Sequence, residues 1–285
     1  MALSQTLNFR KASERVHVTQ PTLSQQIKKL EEELGKPLFE RNARNVRLTP
    51  EGEIFIPYAM RILKEMKSGL ESVQDESDEL AGTVRIGAIP TICPYLIPRL
   101  ITQLSKHAPN IRLDLFEETT SVVLDSLKSS KLDMAVLALP VDVSGISTVP
   151  IGIEHYYLAV HASNPLSKKS SVAITDLKTE KMLILQEGHC FGDQSLGVCR
   201  IKRENPQVRF QGSSLTSVLT LAASDQGVTF IPEMAIPYQK NPKLKYVPFK
   251  KECQAFRTIG IATRTSAHST RVQKHIHHVL ESLMK

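Results

Sequence analysis

At 285 residues, with 41% hydrophobic and 23% charged side chains, the chain is too long for one small core and has an ordinary globular make-up, so two or three domains are expected. No apolar run reaches the roughly 18 residues that span a bilayer, and no basic-then-apolar leader opens the sequence, so the expected location is the cytoplasm with no membrane partner. The net charge of +7 favours a polyanionic partner, and it is unevenly spread: the first 50 residues hold nine Lys/Arg against five Asp/Glu, although a plain surface excess would give the same count.

Phe9, Ala12 and Val16 recur at helical spacing, and after a break Leu23, Ile27, Leu30 and Leu34 do the same. Thr19 is placed as an N-cap, Pro21 suits a first turn and Gly35 a C-terminal stop, so two short helices with a tight turn form a helix-turn-helix. On the second helix Thr22, Gln25 and Lys28 lie away from the Leu23/Ile27/Leu30 stripe. Such groups read base edges or neutralise phosphate, and a solvated polar face would look the same. Residues 37–50 then give a basic β-like excursion, with Arg41, Arg44 and Arg47 alternating with apolar and turn residues. A new helix begins at Thr49-Pro50.

The run from Phe9 to Arg41, continued through Arg47-Leu-Thr-Pro-Glu-Gly52, resembles the winged helix-turn-helix of the LysR-type transcriptional regulators. The resemblance implies that Gln20, Pro21, Thr22, Ser24, Gln25 and Lys28 line the major groove of double-stranded promoter DNA, with Arg41, Arg44 and Arg47 as a wing on the backbone. Family members usually carry about a dozen more residues of helix ahead of the position matching Met1. On that comparison Phe9 and Ala12 are expected to be exposed and DNA binding weakened.

Residues 50–79 read as one helix in which Ala59, Ile62, Leu63, Met66, Leu70 and Val73 recur about every 3.5 residues, as in a short coiled coil. The stripe suits packing within its own domain or, as the resemblance implies, pairing with a second copy. Pro57 inside it predicts a kink or a lost hydrogen bond. From residue 83 the texture changes to apolar runs alternating with helical patterns, at 83–90, 111–116, 134–139, 156–160, 182–185, 228–232 and 258–262, which predicts an α/β sheet domain. By resemblance this is a two-lobed, periplasmic-binding-protein-like effector domain. The whole reading is a helix-rich winged helix-turn-helix domain (1–49), a linker and dimerisation helix (50–80) and an α/β effector domain (81–285). Its first lobe takes about 83–150 and 251–285, its second about 151–250.

Four cysteines are present. Cys93 and Cys253 read as inert thiols. The C-x8-C spacing of Cys190 and Cys199 fits neither a zinc knuckle nor a C-x-x-C redox pair, and His189, Cys190 and Cys199 lack a nearby fourth metal ligand. A cationic His189 would lower the Cys190 pKa, but adjacent residues need not face each other. The segment Gly188-His189-Cys190-Phe-Gly-Asp193-Gln194-Ser-Leu-Gly197-Val-Cys199 resembles the sensing segment of the peroxide-responsive LysR-type regulators. Ile86-Gly-Ala-Ile-Pro-Thr-Ile-Cys-Pro-Tyr-Leu-Ile-Pro98, 131–139 and Arg257-Thr-Ile-Gly260 match as well, so the resemblance covers nearly the whole chain.

It implies a peroxidatic Cys190, a resolving Cys199, and a hydrogen peroxide site at Thr91, Thr120, His189 and Arg257. It further implies an activator of oxidative-stress genes without enzymatic turnover, cofactor or metal, working as a dimer or tetramer with RNA polymerase. Phe191-Gly192 departs from the Leu-Arg common in those relatives. A helical path between the two thiols would hold them roughly 13 Å apart, beyond the about 7 Å a disulfide spans between Cα atoms, so bond formation would have to unwind the segment. Three other readings use the same features: a LysR-type sensor of a small metabolite in the interlobe cleft, a cysteine-nucleophile enzyme on Cys190, His189 and Asp193, and a secreted solute-binding protein.

Overall fold

The computed structural model describes residues 1–42, 45–74, 80–185, 208–267 and 269–285. It divides into two compact units, Met1–Glu76 and Ser77–Lys285.

The first unit is built on α1 (Ala2–Thr6), α2 (Phe9–Arg15) and α3 (Gln20–Leu34). The Asn8 side chain accepts from the Lys11 amide to start α2, and Thr19 accepts from the Thr22 amide to start α3. Gly35 ends α3 in the left-handed region at φ 67, where a Cβ would be strained. Leu3, Ala12, Leu38 and Phe39 form the small core, with Phe9, Leu23, Ile27 and Leu30 packed on it. The expectation that Phe9 and Ala12 lie exposed is therefore corrected. Ala12 is fully buried and Phe9 half-buried, because α1 brings Leu3 onto the same cluster. Val16 and Leu34, which the periodicity also placed on the apolar face, are 43% and 41% exposed, as they fall at the C-terminal ends of their helices.

A hairpin follows, β1 (Phe39–Asn42) antiparallel to β2 (Asn45–Leu48). Glu31 ties it to α3 by accepting from the Leu38 and Phe39 amides at 2.8 and 3.0 Å. Buried Thr49 links hairpin to linker: its hydroxyl donates to the Pro37 carbonyl and accepts from the Gly52 amide, capping α4 (Pro50–Gln74). Pro57 sits inside α4, which continues through it without its i–4 hydrogen bond. Residues 75–79 of the expected linker lie outside the described residues.

In the second unit, seven strands form one sheet in the order β10 (Leu244–Pro248), β6 (Ile146–His161), β11 (Phe256–Arg264), β5 (Met134–Leu139), β3 (Gly82–Ala88), β4 (Ile111–Glu117), while β9 (Thr229–Pro232) also pairs β6. The 16-residue β6 serves two groups of partners. Its first part, to His155, runs against β11, and Tyr156–His161 pair with β9 and β10. Two apolar cores result. One gathers β3, β5 and the buried faces of α5 (Cys93–His107), α6 (Thr120–Lys128) and α8 (Arg271–Leu283). The other gathers the second half of β6, β7 (Met182–Leu185), β9 and α7 (Leu215–Ala222). Two further strands that the sequence did not signal, β8 (Val208–Gly212) and β10, and the first half of β6, are supplied by tertiary pairing of half-polar segments.

β5 is buried along nearly its full length, consistent with an apolar run covered on both faces. The connection from β3 leads to β4 on one side, and β5 lies on the other. Open α/β sheets bind ligands at such a change of direction, beyond the carboxyl ends of the parallel strands.

Candidate functional site

Two clusters of sequence-singled residues can be located. On α3, Gln20, Pro21, Thr22, Gln25 and Lys28 are all exposed and Ser24 is half-exposed, with Pro21, Thr22, Gln25 and Lys28 turned away from the Leu23/Ile27/Leu30 stripe. Pro21 in the first turn and the Thr19 cap hold the N-terminus of this helix open to solvent. Lys28 pairs with Glu32 at 3.5 Å on the exposed surface, a contact worth little and easily exchanged for phosphate. Arg47 is exposed on β2 and Arg41 lies in β1, its Cα opposite Val46. Arg44 falls outside the described residues.

The second cluster stands just past the carboxyl end of β3. Thr91 follows β3, and Arg257 follows the crossing back from the second core into β11. These residues, 166 apart in sequence, meet: the Arg257 guanidinium donates to the Thr91 hydroxyl at 2.7 Å and to its carbonyl at 2.9 Å. Its Nε donates to Glu154 at 2.7 Å, and the other Glu154 oxygen accepts from the Met234 amide at 2.9 Å. Arg257 and Glu154 are both 2% exposed, and Thr91 is likewise buried. A buried guanidinium needs such a partner, because desolvating either charge alone would be very costly. Thr120 opens α6 just past β4, the strand paired in register with β3. His189, Cys190 and Cys199 lie outside the described residues.

Several groups around this cluster went unnoticed in the sequence. Glu154 carried one signal, a lone carboxylate within the apolar run Ile151–Val160. Tyr95 reaches from α5 into the second core and meets the Tyr238 ring at 5.5 Å. Burial pushes its phenol pKa up, and Glu154 and Glu117 add to this against the opposing Gln239 hydrogen bond and Arg257 charge. Cys93, read as an inert thiol, is half-buried, and burial, then the charge and hydrogen bond of Glu117, push its pKa up to about 12.

The folded state therefore holds the Cys93 proton above the usual thiol pKa near 8.5. The resulting stability is fully present below that value and is lost as pH rises toward about 12. Urea unfolding between about pH 8.5 and 11 should show this loss in the native protein and a shallower one in Cys93→Ala. At neutral pH, mass spectrometry after brief iodoacetamide treatment should find Cys93 unmodified while native structure persists. Among the described residues, no group of three or more His, Cys, Asp or Glu could hold a metal ion, and no helix is long and apolar enough to cross a membrane.

Comparison with known proteins identifies the domains in which both clusters lie. Residues 1–53 match the model of the bacterial regulatory helix-turn-helix protein, lysR family, and residues 77–284 match the LysR substrate binding domain. The chain is 36% identical over 265 residues to the DNA-binding transcriptional dual regulator OxyR of Escherichia coli K12, covering 93% of this chain and 87% of that protein. Among solved structures it is similar to a full-length OxyR variant of Pseudomonas aeruginosa, with a TM-score of 0.77 and 35% identity over 99% of this chain and 91% of the other. A hydrogen peroxide-bound OxyR mutant of Corynebacterium glutamicum gives a TM-score of 0.70 at 28% identity, over 99% of this chain and 91% of that one. The helix-turn-helix ahead of a two-core α/β effector domain thus has its explanation: the chain belongs to the LysR family of bacterial transcriptional regulators.

Proposed function

We propose that the chain is a peroxide-responsive regulator of transcription, with 1–49 binding promoter DNA, 50–80 pairing two copies and 81–285 sensing the signal. The observation that carries the reading is the Arg257–Thr91 contact at 2.7 Å. It joins two of the residues assigned to peroxide at a buried position just past the carboxyl end of β3, in a chain similar to proteins named as hydrogen peroxide-inducible genes activators. Their chemistry suits a peroxide: a hydroxyl exchanges hydrogen bonds with either oxygen, and a fixed cation stabilises the hydroxide that leaves. Thr120 and His189 are assigned to the same site by their sequence match.

In the proposed reaction the Cys190 thiolate attacks one peroxide oxygen. The O–O bond breaks, hydroxide departs and a sulfenic acid forms. The Cys199 thiol then attacks that sulfur, forming the disulfide and releasing water. On α4 the exposed side chains Leu63, Met66 and Leu70 recur at alternating three- and four-residue spacing, with exposed Ile62 beside them. A stripe of that kind along one helix fits a second copy of the same helix. Assembly to a tetramer and contact with RNA polymerase complete the proposal.

In vitro transcription from a promoter of a peroxide-inducible gene of the same genome tests the function. Reduced and peroxide-treated protein should differ several-fold in output or in footprint. Identical behaviour in the two states, with a response restored by a small metabolite, would overturn the peroxide reading.

A further inference from the structure

The edge of the second core carries an unassigned concentration of charge. β10 is the end strand of the sheet, and Lys243, Lys245 and Lys250 are exposed along or beside it. A separate segment brings two more lysines to one end of the strand. The Val172 amide donates to the Pro248 carbonyl and the Lys250 amide to the Val172 carbonyl, both at 2.9 Å, so exposed Lys168 and Lys169 lie on a segment pinned beside Lys250 and Lys251. Phe249 stacks on Phe230 at 4.9 Å and fixes this end of the strand to the core. Asp176 pairs with Lys169 at 2.7 Å and its charge also reaches Lys250, Glu233 shares a surface cavity with Lys245, and Glu252 follows Lys251. Lys168, Lys243, Lys245, Lys250 and Lys251 make no ion pair among the described residues.

We propose that this lysine rim along β10 is an accessory contact for the phosphate backbone of duplex DNA. The inference rests on the DNA-binding reading above. From Lys243 to Lys250 the extended chain spans about 23 Å, at roughly 3.3 Å per residue. That length covers about seven base pairs of a duplex along its axis, at roughly 3.4 Å each. The described rim offers lysines without arginine, which suits mobile point-charge contact with phosphate rather than forked reading of base edges. DNA held by the first unit has a raised effective concentration at every basic surface within its reach. Lysines on an edge strand also guard against strand-to-strand aggregation, a role that predicts no effect on DNA affinity.

The test is the salt dependence of binding by the full chain to a mixed-sequence duplex of about 60 base pairs, between about 50 and 200 mM salt. In K243Q/K245Q/K250Q the slope of log K against log salt should become shallower by about 2 to 3, near 0.9 for each phosphate released. The control K106Q/K128Q/K131Q, which removes equal charge from exposed lysines near the other core, should keep the native slope. Matching melting temperatures of the variants establish that both fold. A native slope in the rim variant, or an equal loss in both variants, overturns the proposal while leaving the DNA-binding reading intact. Failure of the unmodified chain to bind any duplex overturns the reading on which it rests.

Discussion

One equivalent of hydrogen peroxide should lower the mass of the reduced chain by about 2 Da, and peptide mapping should find Cys190 joined to Cys199. Cys190→Ser should abolish the reaction, since the first S–O bond has no attacking thiolate. Cys199→Ser should leave Cys190 oxidised without a disulfide, detectable by dimedone as a sulfenic acid. The Cys93 thiol should remain free throughout, because burial and Glu117 hold its proton. Free thiols at both 190 and 199 after peroxide would remove the basis of the proposed switch. The departure at Phe191-Gly192 bears on rate, since no arginine stands there to favour the thiolate.

Arg257→Ala should be the most damaging single change in the effector domain. It leaves the Glu154 carboxylate buried without its cation and the Thr91 carbonyl and hydroxyl without their donors. Removing one partner of a buried pair costs about 3–5 kcal/mol. At roughly 2–4 °C per kcal/mol for a domain of this size, the melting temperature should fall by about 6–20 °C. The double variant Glu154→Met/Arg257→Met should recover part of that loss, because no charge remains buried. Recovery stays incomplete, as the Met234 amide and Thr91 still lack partners. If Arg257 also serves peroxide, the double variant stays unresponsive despite its regained stability. Full recovery of the response with stability would reduce Arg257 to a structural role.

The local features were readable before the fold. Thr19, Pro21 and Gly35 bound α3 where the residue types put them, since a cap, a first-turn proline and a left-handed glycine act within a few residues. The pairing of Arg257 with Glu154 was not readable. Its members are 103 residues apart, and nothing local distinguishes a buried guanidinium from one of the many solvated cations. Nor was the division of β6 between two sets of partners, because a strand's own sequence records which faces are apolar but not which strands will lie beside it. The exposure expected for Ala12 failed for a similar reason: five residues of α1 suffice to place Leu3 over it, and only packing shows that.

Residue type and short-range spacing were enough for the helix-turn-helix, the linker stripe, the alternation of strands and helices, and the cysteine motif. Packing of distant segments joined Thr91, Glu154 and Arg257 in one buried cluster, raised the Cys93 pKa through burial and then Glu117, and brought lysines from two segments to the β10 edge. The physical reason is desolvation and long-range approach. Burial multiplies the cost of an unpaired charge and so selects a partner, and that selection operates only once distant segments have met.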